Sequence, residues 1–275
     1  PRLADAYHYR ADAYLSQGRN KQALADYSKT ISLRPRDAFR YYARGLAYQK
    51  MGRNSQALAD LSKAISLKSS YRNFYLARAR VNVALEHYED ALRDYQKYLG
   101  KRKPTSNIAK EMIPVYISAY RYDAAKKQLE ELQAAGDDSA DLHFWYGRVL
   151  FGQNRLDEAV SAYSKAINRD PAYTQAYRYR ASAFKDMGDY PAALEDYTVL
   201  LKLQPEAIFY NRRGLVYEEM KQFKEAAQDY TRAIELMPKW AIPYNNRGFA
   251  KMNLKDWKGA QADLEAAIRL DGTSP

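Results

Sequence analysis

Six arginines and six aspartates raise the first chemical question. In YYARGLAYQKMG, Tyr41 to Gly52, Arg44 stands just before a glycine in a segment whose spacing otherwise reads as a buried helix face. Arg10, Arg78, Arg180, Arg213 and Arg247 recur in like settings, together with Asp26, Asp60, Asp94, Asp196, Asp229 and Asp263. Two chemistries fit such a set: internal ion pairs, bidentate where the planar guanidinium meets a carboxylate, or a ladder of arginines for an anionic ligand. A paired and half-buried guanidinium is poorly available to a ligand, which favours the first.

Other chemistry is sparse. His8, His87 and His143 lie far apart with no ligand spacing between them, and there is no cysteine, which excludes disulfides and thiolate metal sites. No metal site and no cofactor is expected. The phosphate-cradling and nucleophile-elbow glycine motifs are absent, and GKRKPTS, from Gly100, lacks the upstream glycine of a P-loop. Carboxylates are plentiful, but none forms a distinguishable acid and base pair, so an enzyme is not expected.

The elements that must position these residues come from an internal repeat, sought first because a period of 20–50 residues changes the whole reading. YHYRADAYLSQGRNKQALADY, YYARGLAYQKMGRNSQALADL, YRYRASAFKDMGDYPAALEDY, YNRRGLVYEEMKQFKEAAQDY and YNNRGFAKMNLKDWKGAQADL align with small residues at Ala11, Gly45, Ala181, Gly214 and Gly248. Ala79, Ile113 and Gly147 fall at the same phase, and the spacing is 34 residues except for one step of 33. Eight units follow: 4–37, 38–71, 72–105, 106–139, 140–173, 174–206, 207–240 and 241–274. Each reads as two amphipathic helices with a turn at its middle, often glycine (Gly18, Gly52, Gly188), and a proline where the second helix stops (Pro35, Pro171, Pro205, Pro238).

The pattern has an aromatic at 4, a small residue at 8, an aromatic at 11, alanine at 20, Tyr or Leu at 24 and proline at 32. It resembles the tetratricopeptide repeat. Alanine fills position 20 in all eight units, from Ala23 to Ala260. The resemblance implies an all-α, right-handed superhelix of eight helical hairpins sharing one continuous core. It also implies that first helices line a groove and second helices form the back.

In this frame the six arginines occupy position 7, where the family usually has leucine, and the six aspartates occupy position 23 of the same units. Units four and five lose both together, having Met112 with Gln128 and Tyr146 with Ala162. Positions 7 and 23 lie nearly opposite in an antiparallel hairpin, so an Arg to Asp bridge within each hairpin is expected.

The resemblance places positions 2, 5, 9 and 12 of each first helix in the groove. The candidate peptide-contacting residues are Tyr42, Phe144 and Phe151, the cations Arg80, Lys110, Arg148, Arg178 and Lys185, read as unpaired, and Asn211 and Asn245. Cations among aromatics suit an extended peptide with acidic and apolar side chains. Some family members grip a C-terminal carboxylate with Lys at 5 and Asn at 9, Asn at 6 of the next unit, and Lys at 2 and Arg at 6 of the third. No three consecutive units match that, and Asn211, Asn245 and Asn246 are at most a remnant of a backbone-holding asparagine ladder.

Residues 1–105 hold 21 Lys and Arg against 9 Asp and Glu, while 106–275 hold 23 against 24. The expected organisation is a basic lobe over 4–105, an atypical joint over 106–139, where Ile113 replaces the small residue and Pro114 enters the first helix, and units five to eight over 140–274. The basic lobe could attract an acidic protein, a phosphorylated segment, nucleic acid or an anionic surface. Its cations are spread rather than clustered with stacking aromatics, which argues against nucleic acid.

No apolar run approaches the roughly 20 residues of a membrane span. Pro1 in place of methionine suggests processing or excision from a longer protein, and the compartment stays open. Arrays normally end in a polar capping helix, so the eighth unit is expected to continue into further chain or to pack on another subunit. The function expected is a noncatalytic scaffold that binds a partner's peptide. The alternatives are a recruiting or assembly domain of a larger enzyme or envelope secretion complex, and binding of nucleic acid or an anionic surface through the basic lobe.

Overall fold

The structure, a computed structural model, describes residues 2–271. Among the described residues there are sixteen α-helices and no strand. The chain forms two compact units, one ending at Gln128 and the other beginning at Leu129.

In the first unit α1 (Arg2–Ser16) packs on α2 (Asn20–Leu33), α3 (Ala38–Lys50) on α4 (Asn54–Leu67), and α5 (Arg72–Ala84) on α6 (Tyr88–Leu99). Then come α7 (Ser106–Ser118), which packs on α6, and α8 (Tyr122–Ala134), within which the first unit ends and the second begins. The second unit holds α9 (Ala140–Gly152) on α10 (Leu156–Arg169), α11 (Thr174–Asp186) on α12 (Tyr190–Leu203), α13 (Ala207–Glu219) on α14 (Phe223–Leu236), and α15 (Ala241–Asn253) on α16 (Trp257–Asp271). Within each unit the second helix of a hairpin also packs on the first helix of the next, for example α4 on α5 and α14 on α15. Two helices per repeat is what the 34-residue period predicts.

Close packing explains the small residues. A Cβ added at Gly147 would stand 2.4 Å from Cε1 of Tyr163, and one at Gly214 would stand 2.6 Å from Cε1 of Tyr230. The alanines at position 20 are fully buried from Ala23 to Ala226, and Ala260 is nearly so. Tyr27, Tyr95, Tyr163, Tyr197 and Tyr230, all at position 24, are the largest of the fully buried side chains.

The mid-unit turn is uniform. Position 15 has a left-handed backbone in all eight repeats: Gly18, Gly52 and Gly188, but also Glu86, Tyr120, Asn154, Lys221 and Lys255. In each case the following N–H donates to the carbonyl of position 11, as Arg53 does to Tyr48 at 2.9 Å and Gln222 to Tyr217 at 2.8 Å. This satisfies a carbonyl that the helix end would otherwise leave free. Second helices stop two residues before Pro35, Pro171, Pro205 and Pro238.

Pro114 lies inside α7, which continues through it to Ser118. Its ring supplies no N–H, so Lys110 lacks its usual helical donor there. GKRKPT, residues 100–105, is the connection between α6 and α7.

Candidate functional site

The arginine question resolves first. Each of the six guanidiniums makes a two-pronged contact with the aspartate of its own hairpin: Nε of Arg44 donates to Asp60 Oδ2 at 2.7 Å and Nη2 to Oδ1 at 2.8 Å. Arg10 with Asp26, Arg78 with Asp94, Arg180 with Asp196, Arg213 with Asp229 and Arg247 with Asp263 repeat this at 2.6–2.9 Å. The aspartates are only 3–6% exposed. Their hydrogen bonds hold the Arg44, Arg78 and Arg213 guanidiniums above the usual arginine range.

A third contact was not foreseen. Nη1 donates to a hydroxyl on the second helix of the preceding hairpin: Arg44 to Ser28 at 3.0 Å, Arg78 to Ser62 at 3.1 Å, Arg180 to Ser164 at 2.8 Å, Arg213 to Thr198 at 3.2 Å and Arg247 to Thr231 at 3.0 Å. All five hydroxyls occupy position 25. Units three and four have Gln96 and Glu130 there, and they precede the two repeats that lack the arginine. This pairing of a hydroxyl with the next unit's arginine was legible in the sequence. The arginine thus ties its own hairpin together and fastens it to the one before.

The face at positions 2, 5, 9 and 12 is different in kind. Arg80, expected to be unpaired, is not: it grips Glu111 of α7 with bonds of 2.9 and 2.8 Å. Glu111, at position 6, lies within reach because consecutive first helices are neighbours. Lys110 is exposed but already engaged. Phe144 is buried, packed among Tyr163, Tyr173 and Tyr179, so it belongs to the floor rather than the surface. Tyr42 is half-buried against Tyr71 and Phe74, and burial raises its phenol above the usual range. Phe39 beside it is exposed, with Lys68 Nζ 4.8 Å from its ring centre.

In the second unit the expected residues converge. Arg148 of α9 and Arg178 of α11 both lie over the ring of Tyr179, at 4.0 and 4.6 Å from its centre. Among the described residues neither has a carboxylate partner, and neither has Lys185, one turn beyond the middle of α11. Phe151 is half-buried on the same face of α9. Farther along, Asn246 Nδ2 donates to Asn211 Oδ1 at 3.1 Å, and Asn211 is buried. Asn245 is exposed on α15, between the exposed Ile242 and Phe249.

The buried tyrosines connect the core to this face. The Tyr27 hydroxyl donates to Asp12 at 2.5 Å, Tyr95 to Glu111 at 3.3 Å and Tyr230 to Glu218 at 3.0 Å, while that of Tyr197 meets Ser182 and Arg212. These partners sit at position 9 or 12 of the same repeat or position 6 of the next. For Tyr163 those positions hold Arg148, Phe151 and Tyr179, with no carboxylate among them. Its hydroxyl is buried without a hydrogen-bond partner. Burial pushes this phenol well above the ordinary tyrosine range, with Arg148 drawing it the other way. Tyr163 was missed because position 24 reads as core, and Tyr179 because position 6 lies outside the 2, 5, 9 and 12 set; the missing carboxylate was the available signal.

Among the described residues no group of three His, Asp or Glu is placed to hold a metal, and no helix is long and apolar enough to cross a membrane. His143, buried, bonds Asp138 at 2.6 Å, and Arg169 holds the other oxygen of that carboxylate.

Comparison with known proteins agrees with this architecture. Models of the tetratricopeptide repeat match residues 11–52, 42–107, 112–175 and 207–239, together well over half of the chain. The Hsp70-Hsp90 organizing protein of Triticum aestivum is 32% identical over 95 residues, 34% of this chain and 16% of that protein. Hsp70-Hsp90 organizing protein 1 of Glycine max is 34% identical over 83 residues, 30% of this chain and 14% of that one. The matches thus span about a sixth of these relatives' lengths. A tetratricopeptide repeat protein from Parabacteroides merdae superposes with a TM-score of 0.73 at 16% identity, covering 98% of this chain and all of that one. The hairpins, their small-residue contacts and these matches together make the chain, with its all-α superhelical repeat fold, a member of the tetratricopeptide repeat family.

Proposed function

We propose that this protein is a noncatalytic interaction scaffold whose first-helix face holds an extended peptide segment of a partner. The observation that carries the reading is the contrast between two sets of arginines. Six ladder guanidiniums are each taken up by a buried aspartate, whereas Arg148 and Arg178, on the face the family uses as a groove, have no carboxylate. An incoming acidic group gains charge-assisted hydrogen bonds there without first breaking an ion pair.

Apolar contact is on offer in the same unit. Ile242, Phe249 and Met252 are exposed at positions 2, 9 and 12 of α15, and Asn245 at position 5 can hydrogen-bond a peptide backbone. Similarity to Hsp70-Hsp90 organizing proteins supports an interaction scaffold. The carboxylate-gripping pattern known in the family has no match in three consecutive repeats, so a chaperone tail is not the partner proposed.

The test is binding of the full chain to an array of acidic and aromatic peptides, with Arg148→Glu/Arg178→Glu as the comparison. Two reversed charges at a partly desolvated contact are expected to weaken binding by at least tenfold, about 1.4 kcal/mol or more. The same peptides bound with unchanged affinity would remove this face from the account.

A further inference from the structure

Three features meet on one face of α9 and α11. Arg148 and Arg178 both lie over the Tyr179 ring with no carboxylate to neutralise them, and the Tyr163 ring stacks on that same tyrosine at 6.1 Å between centres, its hydroxyl buried and without a partner. The neighbouring case shows what the fold does when an anion is built in. At Tyr95 the corresponding place holds Glu111, which accepts from the phenol and from both prongs of Arg80. The Tyr163 place has the donors of that arrangement and lacks its acceptor.

We propose that Arg148, Arg178 and Tyr163 form a subsite for a phosphorylated side chain of the bound peptide, an inference that rests on the groove reading above. Charge decides for phosphate over carboxylate. Two uncompensated guanidiniums are balanced by a phosphomonoester of charge about −1.5 to −2, whereas a carboxylate leaves one unbalanced. Shape decides in the same direction. Two charge-assisted bonds of about 2.8 Å on opposite sides of one phosphate span roughly 8–9 Å between guanidinium carbons. Two cations against a single ring fall within that reach. A tetrahedral group can then direct a third oxygen down to the buried phenol, which a planar carboxylate engaged by both arginines cannot do as well. Lys185, half-buried on α11 and without a carboxylate partner, adds positive charge on the same side, and Phe151 offers an apolar flank to the peptide.

The experiment uses three nine-residue peptide libraries, identical except for a fixed central phosphoserine, glutamate or serine, titrated against the full chain by fluorescence polarisation, with inorganic phosphate as a separate ligand. The phosphoserine library is expected to bind about tenfold or more tighter than the glutamate library. Arg148→Gln and Arg178→Gln should each erase that preference. Tyr163→Phe should reduce it several-fold while helicity and Tm hold or rise, because it removes a hydroxyl that has no partner in the free protein. Equal binding of the phosphoserine and glutamate libraries would overturn the subsite and leave the groove reading standing. Failure of all three libraries to bind would remove both. Inorganic phosphate binding as tightly as the phosphoserine library would assign the site to a free anion and overturn the peptide subsite.

Discussion

Arg213 and Asp229 show how the ladder works at the level of single residues. The carboxylate is buried, so removing its partner leaves an uncompensated charge, and such losses cost about 3–5 kcal/mol. Arg213→Met is therefore expected to lower stability by that order in chemical denaturation, while Arg213→Met/Asp229→Leu recovers most of it. A double variant no better than the single one would contradict the strut. The chain carries natural versions of the double replacement, Met112 with Gln128 and Tyr146 with Ala162, both in folded repeats. The arginine and aspartate partners were legible because they appear and vanish together. Their hydroxyl contacts at Ser28, Ser62, Ser164, Thr198 and Thr231 follow the same co-occurrence, but with the arginine of the next unit rather than of the same one, so they escape a comparison made within single repeats.

Asp263 adds a pH dependence at the same scale. Burial works to raise its carboxyl, but Arg247 and Lys251, whose Nζ lies 2.8 Å away, together bring it below the usual carboxylate range. A carboxyl depressed in the folded state contributes stability that is fully present above its unfolded value, about 3.9, and lost as pH falls through the folded one. Lys251→Ala lifts the folded value, so the acid transition of helicity should move to higher pH. An unchanged or lower acid midpoint would contradict the role given to Lys251.

At the scale of the element, the decisive feature is the turn between helices. Its eight residues at position 15 share one left-handed conformation, yet only Gly18, Gly52 and Gly188 are free of the Cβ clash that this region imposes. In the sequence a turn is expected at the middle of every unit, but only the three glycines mark its left-handed residue. The conformation persists at Glu86, Tyr120, Asn154, Lys221 and Lys255 because the helix-ending hydrogen bond and the packing of both helices impose it. Lys221→Gly should accordingly raise stability by up to about 1 kcal/mol, the relief of the clash less the added chain entropy of glycine. A fall in Tm for Lys221→Gly would show that the turn is not under strain. Pro114, expected inside the first helix of unit four, sits within α7, where it removes one bond without ending the helix.

At the scale of the whole molecule, the sequence made the eight-fold repeat and its helix pairs plain because period and small-residue phase recur in every copy. The candidate site was only partly visible. Position numbers identified Arg148, Arg178, Lys185 and Asn245 on the intended face, but they could not separate Arg80, which Glu111 occupies, or Phe144, which the core absorbs. Those distinctions depend on contacts between successive first helices, which a repeat alignment does not contain. Within residues 1–105, Arg10, Arg34, Arg40, Arg44, Arg78 and Arg80 all face carboxylates, which localises their charge without changing the net excess.

The central claim is that the first-helix face, and not the ladder face, takes the peptide. Amide and side-chain chemical-shift mapping of the full chain during titration with a peptide selected from the array tests it most directly. Shifts are expected to centre on Arg148, Arg178, Tyr179, Asn245 and Phe249 and to vanish in Arg148→Glu/Arg178→Glu. Shifts centred instead on Ser164, Thr198 and Thr231, with the first-helix face silent, would contradict it.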